Sequence, residues 1–407
     1  MASAFDVLKE RGFVAQCTHE KELPALLAEK KVSFYVGFDP TADSLHAGHL
    51  LPIMAMAHLQ RAGHRPIALV GGATAMVGDP TGKDEMRSML SVENIDANIG
   101  CIKAQLSRFL DFSNDRALMV NNGDWIRPLN YVEFLREIGV HFSVNRMLTA
   151  ECFKQRMEKG LTFLEFNYMI MQAYDFLHLN RKYGCVLQVG GDDQWSNILA
   201  GADLIRRKDQ KEAYGLTFNL IMTADNKKMG KTEKGAVWLD ANRTSPYDYY
   251  QYWRNVHDKD VEKFLCFFTF LSLDEIKKLA ALKDNEINEA KKRLAFEATS
   301  IVHGKEAAEK ARVAAQSLFE GGNEGGAIPS SEFNLQPDTQ VIDLFIASGL
   351  IDSKSEGRKL IAQGGLSVNA NAVTAHDAPV SHEMTDKNGV IVLKKGKKNF
   401  HHLKITY

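Results

Sequence analysis

Cysteine is scarce and scattered in this chain of 407 residues: Cys17, Cys101, Cys152, Cys185 and Cys266 are its five. No two form a C-x-x-C pair and none stands at zinc-ligand spacing from a histidine, so neither a disulfide framework nor a zinc site is implied. A reducing, cytosol-like compartment is the resulting expectation, with the cytoplasm as location. Charge of one sign is also missing. The formal net charge is -1, which names no polyanionic partner for the chain as a whole. Long apolar runs are absent too, the longest falling short of the roughly 18 residues of a membrane span. The N-terminal "MASAFDVLKERGF" carries Asp6 and Glu10 before any such run, so no targeting or membrane segment is read and no membrane partner is expected.

What is present is ordinary globular composition, 45% hydrophobic and 25% charged, at a length suited to two or three domains. Up to about residue 222, short β-rich runs alternate with helical patterns: "VSFYVGF" (32–38), "PIALVGG" (66–72), "ALMVNN" (117–122), "CVLQVGG" (185–191) and "GLTFNLI" (215–221). That alternation predicts a Rossmann-like parallel α/β sheet, with chemistry at the C-terminal strand ends. From about 245 the pattern is helical, through "DVEKFLCFFTFL" and "NEINEAKKRLAFEATSIVHGKEAAEKARVAAQSLF". Residues 321–337, "GGNEGGAIPSSEFNLQP", have linker composition. The expected division is a catalytic domain over 1–235, an α-helical domain over 236–320, a linker over 321–337 and a small α+β module over 338–407.

Two short motifs carry charge or donors where an anion could sit. In "DSLHAGHLLPIM", Asp43 and Ser44 are candidate N-caps, and His46 and His49 fall in the first turns of one helix, facing the same way. Backbone N–H groups and the helix dipole make such a place attractive to phosphate. In "NKKMGKT", Lys228 and Lys231 with Gly230 and Thr232 form a cationic hook after the last strand-like run. Neither this nor "VGDPTGKD" is a Walker A loop, because Asp225 and Val77 stand where the first Gly is needed and Asp84 where Ser or Thr is needed. Alone, the first motif is also compatible with two surface histidines flanking a helix start, and the second reads more readily as a solvated surface turn.

Together, H-x-G-H after the first strand and K-x-G-K-T after the last resemble the paired signatures of class I aminoacyl-tRNA synthetases. The wording of "YVGFDPTADSLHAGH", "ALVGGATAMVGDPTGK", "LQVGGDDQW" and "KMGKTEKGAVWLD" is similar to the bacterial-type tyrosyl-tRNA synthetases, over nearly the whole length. The resemblance implies tyrosine activation by ATP and transfer to the terminal adenosine of tRNA(Tyr), with Mg2+ accompanying ATP, no tightly bound cofactor and no metal-ligating residues. It implies that His46, His49 and Thr41 donate to phosphates and ribose. Lys228, Lys231 and Thr232 would close over pyrophosphate, with Lys83 and Arg87 assisting from another loop. Tyr35 and Asp175 would bind the tyrosine phenol, and Tyr168, Gln172 and Asp79 its ammonium. Gln194 would lie at the reacting carboxyl group. Gly37, Asp39, Gly48, Gly191 and Asp193 would line the ATP and ribose site beside Lys231, with Gln188 a weaker candidate. Independently of any family, Gln172 and Tyr168 lie at helical spacing from Asp175 among apolar neighbours, which suits a pocket wall. Two positions depart from the family pattern. Asp192 stands where Ser is usual, either beside the adenylate or facing solvent, and Gly123 stands where a larger residue is common.

The last module reads as two short helices, a turn into a strand, and "NGVIVLKKGKKNFHHLKI". From Asn388 to Lys404 there are five lysines and no carboxylate, a phosphate-binding footprint whose candidates are Lys394, Lys395, Lys397 and Lys398. The module resembles an S4-type RNA-binding domain. The resemblance further implies that the helical domain contacts the anticodon region and that residues about 123–160 help form a homodimer. The alternatives are a tryptophanyl-tRNA synthetase, which lacks the phenol partners and the S4-like module, a small-molecule nucleotidyltransferase using H-x-G-H, and a non-catalytic RNA-binding protein that kept the fold.

Overall fold

The computed structural model describes residues 3–81, 90–224, 229–232, 235–320, 329–336, 338–369, 371–381, 384–386, 389–396 and 399–406, of which 155, 231, 232 and 317–320 are described by backbone alone. The chain divides into two compact units, one of Met1–Thr244 with Gln251–Lys305 and one of Ser245–Tyr250 with Glu306–Tyr407. Among the described residues no helix is long and apolar enough to cross a membrane.

The first unit is built on a six-stranded sheet of β1 (Val14–Cys17), β2 (Ser33–Phe38), β3 (Arg65–Val70), β4 (Leu118–Asn121), β5 (Cys185–Gly191) and β6 (Tyr214–Phe218), in the order β1-β6-β5-β2-β3-β4. Five strands are parallel; β3 and β6 are buried along nearly their whole length, while β4, at the sheet's edge, is half-buried. The sixth corrects the all-parallel expectation: β1 pairs antiparallel with β6 and forms the edge of the sheet. Val14–Cys17 is half-buried throughout and too short to announce itself by alternation. The strand order reverses between β2 and β5, where Tyr35 and Gln188 are register partners. Such a switch point opens a crevice beyond the strand ends.

Three helices position the residues at those strand ends. Leu50–Arg61 leads from the histidine turn. Tyr168–Tyr183 and Trp195–Asp209 flank β5, the first packing Met169, Ile170, Ala173, Phe176 and Leu177 into a core shared with Tyr35, Ile67 and Leu69. Between β4 and Tyr168–Tyr183 lies an insertion of short helices, Tyr131–Glu137, Val144–Leu148, Glu151–Lys159 and Phe163–Phe166. Its fold is pinned by a buried pair in which Arg156 Nε donates to Glu165 Oε1 at 2.9 Å.

The helical stretch after the sheet is tied back by the N-terminus. Arg11 caps the helix Ala4–Glu10 and is buried, donating to the carbonyls of Cys266 (2.9 Å) in the last turn of the helix Val261–Phe268, of its C-cap Thr269 (3.1 Å) and of Leu271 in the loop that follows. A helix end leaves its last carbonyls without intrahelical partners, and a guanidinium also suits the negative end of the helix dipole.

The second unit holds a five-stranded sheet of β9 (Ser330–Asn334), β10 (Leu366–Val368), β11 (Asn371–Ala372), β12 (Val390–Lys395) and β13 (Asn399–Thr406), ordered β11-β10-β12-β13-β9. The numbers β7 and β8 belong to a two-stranded hairpin in the first unit, Lys231–Thr232 with Gly235–Ala236. The helices Val341–Ala347 and Lys354–Ala362 join the sheet in a core of Leu344, Phe345, Ile391, Leu393 and Leu403. The linker expectation is corrected at residues 330–334, which form β9 parallel to β13. A strand held by its backbone ladder tolerates the Ser-rich composition that suggested a linker.

Replacing Arg11 by Ala strands three carbonyls and is expected to lower stability by about 3 kcal/mol or more. Urea unfolding checks this, with Arg11→Lys recovering only part of the loss because an ammonium cannot reach the three acceptors in one plane.

Candidate functional site

At the C-terminal end of β2 the chain leaves through Asp39 and reaches the histidines by a loop. The helix start differs from expectation. Ala47–His49 is a 3-10 turn whose N-cap is His46 itself, followed by Leu50–Arg61. Asp43 and Ser44 do not cap it. Ser44 Oγ is buried and donates to the Leu45 carbonyl, and Asp43 pairs with Arg243. The imidazoles are fixed by the backbone instead: Gly48 N–H donates to His46 Nδ1 and His46 N–H donates to His49 Nδ1, both at 3.1 Å. A ring nitrogen that accepts carries no proton, so each neutral imidazole bears its hydrogen on Nε2. The rings lie 4.0 Å apart, presenting two Nε2–H donors from one turn.

The lysine hook meets this turn. Residues 45–47 run antiparallel to residues 237–239, with Ala47 N–H donating to Val237 O (2.8 Å), Leu239 N–H to Leu45 O (2.9 Å) and a bridge between His46 and Trp238. Val237 N–H in turn donates to Gly230 O at 2.9 Å. Gly230 has φ +81°, and a Cβ there would come within 2.7 Å of Gly48 N, so only glycine lets the two signatures touch. The stems of the lysine loop are held from the helical stretch: Tyr252 Oη accepts from Gly230 N–H, Asp260 accepts from Ala224 N–H, and Lys263 Nζ donates to Met222 O. Of the expected hook, Lys231 and Thr232 lie in β7 with only their backbone described, and Lys228 lies outside the described residues, as do Lys83 and Arg87.

The deepest part of the site is a polar network inside an apolar core. Asp175 is 1% exposed. Its Oδ2 accepts from Asn122 Nδ2 (2.9 Å) and its Oδ1 from Trp125 Nε1 (2.8 Å). Burial outweighs these two bonds and raises its carboxyl to a pKa of about 7. Tyr35, also 1% exposed, has its phenol pushed up by burial and by the field of Asp175. Its hydroxyl has no hydrogen-bond partner among the described residues. A buried orphan donor beside a buried carboxylate calls for a third group.

The network continues outward. Asn122 Nδ2 also donates to Thr74 Oγ1 (3.0 Å), Thr74 Oγ1 to Asp39 Oδ1 (3.0 Å), and Tyr168 Oη to Asp39 Oδ2 (3.1 Å). Gly71 is required here, since a Cβ would fall 2.2 Å from Asp39 Oδ1. Gln194 Nε2 donates to Asp79 Oδ2 (2.7 Å), and Gln172 Nε2 to Gln194 Oε1 (3.3 Å). Tyr168, Gln172, Asp79 and Gln194 are thus brought together, along one side of Tyr168–Tyr183. Gly37 adjoins open space, Thr41 is exposed on the loop before the histidine turn, Gly191 ends β5 and the exposed Asp193 lies in the 3-10 turn that follows. Gln188 is buried, its Oε1 without a hydrogen-bond partner among the described residues and 3.4 Å from where a Cβ on Gly201 would lie.

Sequence reasoning missed Thr74, Asn122 and Trp125. They act on carboxylates supplied by other elements, and the only local signal was "NNGDW" directly after a strand. The two departures are resolved by geometry. Asp192 Oδ1 accepts from Gln16 Nε2 and Thr217 Oγ1, both at 2.7 Å, so it ties β1 to β6. A Cβ on Gly123 would meet Arg127 Nε and Asn121 Oδ1 at 3.0 Å, so a larger residue needs those side chains moved. In the second unit, Lys395 pairs with Glu356 (2.7 Å) and Lys404 with Glu332 (3.1 Å), while Lys394 lies 5.1 Å over the Phe400 ring. The carboxylates missing from the local sequence arrive from elsewhere in the fold. Lys397 and Lys398 lie outside the described residues.

Residues 27–320 match the family model described as tRNA synthetases class I (W and Y), and residues 323–403 match that of the tyrosine–tRNA ligase SYY-like C-terminal domain. A tyrosine–tRNA ligase of Acetivibrio thermocellus is 59% identical over 100% of both chains, and one of Clostridium botulinum is 58% identical over 99% of both. Among solved structures, a C-terminally truncated Aspergillus nidulans mitochondrial tyrosyl-tRNA synthetase is 32% identical with a TM-score of 0.71, covering 78% of this chain and 95% of that one. A tryptophanyl-tRNA synthetase of Encephalitozoon cuniculi shares the fold alone, at 14% identity and a TM-score of 0.57, covering 75% of this chain and 87% of that one. With matches spanning catalytic and C-terminal regions alike, the chain belongs to the class I tRNA synthetases of the tryptophan and tyrosine group, in the tyrosine–tRNA ligase branch.

Proposed function

We propose that this chain activates tyrosine with ATP to tyrosyl-adenylate and transfers the tyrosyl group to the 3' adenosine of tRNA(Tyr). The observation that carries the choice of amino acid is the orphan Tyr35 hydroxyl beside the buried Asp175 carboxylate. A substrate phenol accepts from Tyr35 and donates to Asp175, completing both, whereas an indole offers no oxygen to Tyr35. Tyr168, Gln172 and Asp79 take the ammonium, with the Asp79 carboxylate as counter-charge.

The reaction is an in-line attack of the tyrosine carboxylate on the α-phosphate, with pyrophosphate leaving. The nucleophile is already ionised, so the protein's part is positioning and stabilisation of developing charge. His46 and His49 supply Nε2–H donors from a fixed turn, assisted by Thr41. Lys228, Lys231, Thr232, Lys83 and Arg87 neutralise the departing pyrophosphate. Gly37, Asp39, Gly48, Gly191 and Asp193 line the nucleotide, and Gln194 sits at the reacting carboxyl. Mg2+ arrives as the ATP complex and belongs to the substrate.

The C-terminal unit is read as the RNA-binding module, with Lys394, Lys395, Lys397 and Lys398 on the phosphates, and the helical stretch as the contact for the anticodon region. The insertion supports a homodimer. Tyr131, Val132, Val140, Val144, Met157 and Phe163 are exposed on it, Val140 by 71% and Phe163 by 68%, more apolar surface than a monomer usually leaves to water. The five free cysteines suit a reducing cytoplasm.

ATP–pyrophosphate exchange with each of the twenty amino acids tests the reading: exchange is expected with tyrosine, and exchange with tryptophan or with none would end it. Tyr35→Phe should lower kcat/KM for tyrosine about threefold to tenfold, the worth of one neutral hydrogen bond, and leave that for phenylalanine unchanged. The pH profile gives a second check. Asp175 accepts from the phenol only when ionised, and burial raises its pKa to about 7 in the free protein. The carboxylate therefore predominates above that value, and kcat/KM for tyrosine should rise with pH through about 7. Finally, Val140→Asp combined with Phe163→Asp should convert a dimer to a monomer in sedimentation equilibrium; an unchanged mass would place the interface elsewhere.

A further inference from the structure

The turn after β8 folds back on the histidine signature. Asp240 N–H donates to Ser44 Oγ (3.2 Å), Arg243 N–H to Asp240 O (3.1 Å) and Trp238 N–H to Thr244 Oγ1 (3.0 Å). This closes the turn so that Arg243 returns over the residue that pairs with His46. Its guanidinium carbon lies 3.4 Å from the centre of the Trp238 ring, and its Nη1 donates to Asp43 Oδ1 at 2.6 Å. The Trp238 ring meets the His46 ring edge-on at 6.0 Å and 72°, in addition to the 4.0 Å contact of that ring with His49.

We propose that Arg243 is a positioning residue for adenylate formation: gripping the Trp238 indole and the Asp43 carboxylate at once, it holds the His46 imidazole with Nε2–H towards the nucleotide. The proposal rests on the role given to His46 above. Gly48 N–H donates to His46 Nδ1 and anchors that atom, while the Trp238 edge borders the ring itself. The indole resists a tilt of that ring only while it is itself held, and the flat guanidinium on its face holds it. The ion pair alone contributes little, because Arg243 and Asp43 are 36% and 61% exposed. The geometric part is the planar stack, which an ammonium does not reproduce.

The effect belongs in kcat, since His46 acts on charge that develops in the transition state. Single-turnover tyrosyl-adenylate formation by the full chain, as wild type, Arg243→Ala, His46→Ala and the double variant, tests the proposal as a double-mutant cycle. Arg243→Ala is expected to slow the step about fivefold to tenfold, with the tyrosine KM and the thermal midpoint unchanged. In the His46→Ala background the same change should cost less than about twofold, because there is no ring left to position. Arg243→Lys should recover only part of the rate. Equal losses in both backgrounds would mean that Arg243 acts on substrate by itself and would overturn the proposal, as would an unimpaired Arg243→Ala. If Arg243→Ala does not fold, Arg243→Gln and Trp238→Phe carry the same cycle. A His46→Ala protein of normal rate would instead remove the role of His46, a failure the single variant reveals separately.

Discussion

A carboxylate buried in an apolar core is tolerated only when the surroundings supply bonds for it, and Asp175 is the group around which this site is arranged. Asn122 and Trp125 each donate to it, yet its pKa still rises to about 7, so the site holds a charge it has not fully compensated. Under the proposed function, a substrate phenol hydroxyl supplies the remaining compensation. Selectivity then comes from desolvation: a ligand without that hydroxyl leaves two buried polar groups unsatisfied, a heavier penalty than the loss of an ordinary surface hydrogen bond. The strand order matters to this. Asn122 lies just after β4 and donates to Thr74 beyond β3, which in turn donates to Asp39 beyond β2, a relay that parallel neighbours allow because their C-terminal ends lie side by side.

The second constraint is made of main chain. His46 and Gly230 are far apart in sequence, but Val237 bonds to both Ala47 and Gly230, so one short segment serves the histidine turn and the base of the lysine loop. Backbone bonds set this spacing independently of what the side chains do. A site that must stabilise charge on two sides of a phosphate needs such fixed separation, since preorganised donors are effective only if they need not move during reaction. The positive φ of Gly230 and its approach to Gly48 meet the same requirement.

The central strands were legible because double burial makes them nearly continuous apolar runs, and the helix Tyr168–Tyr183 because polar residues at helical spacing interrupt an apolar face. The edge strands β1 and β9 were not, although β4, an edge with the apolar run Leu118–Val120, was. β1 is half-buried with no alternation, and β9 hides in Gly- and Ser-rich composition because its partner strand, not its side chains, holds it. In the site, residues that would face a ligand were visible through motif and family wording. Thr74, Asn122 and Trp125, which hold those residues, were not, because a supporting donor has no fixed spacing from the acceptor it serves. Asp192 illustrates the converse: a carboxylate inside a motif spends its bonds on Gln16 and Thr217, sealing an antiparallel edge.

Local charge counting erred in a similar way at the C-terminus. Five lysines without a carboxylate suggest an uncompensated patch, but Lys395 and Lys404 find Glu356 and Glu332 through the fold. These pairs do not argue against RNA binding. Exposed ion pairs are worth little in water, so a phosphate that offers a better geometry can replace the glutamate with small loss. What changes is the expected strength of the interaction. A lysine that already has a partner exchanges one anion for another and contributes less net attraction than an unpaired one, so fewer phosphates are effectively neutralised than the count of five implies, and the dependence of affinity on salt is correspondingly shallower.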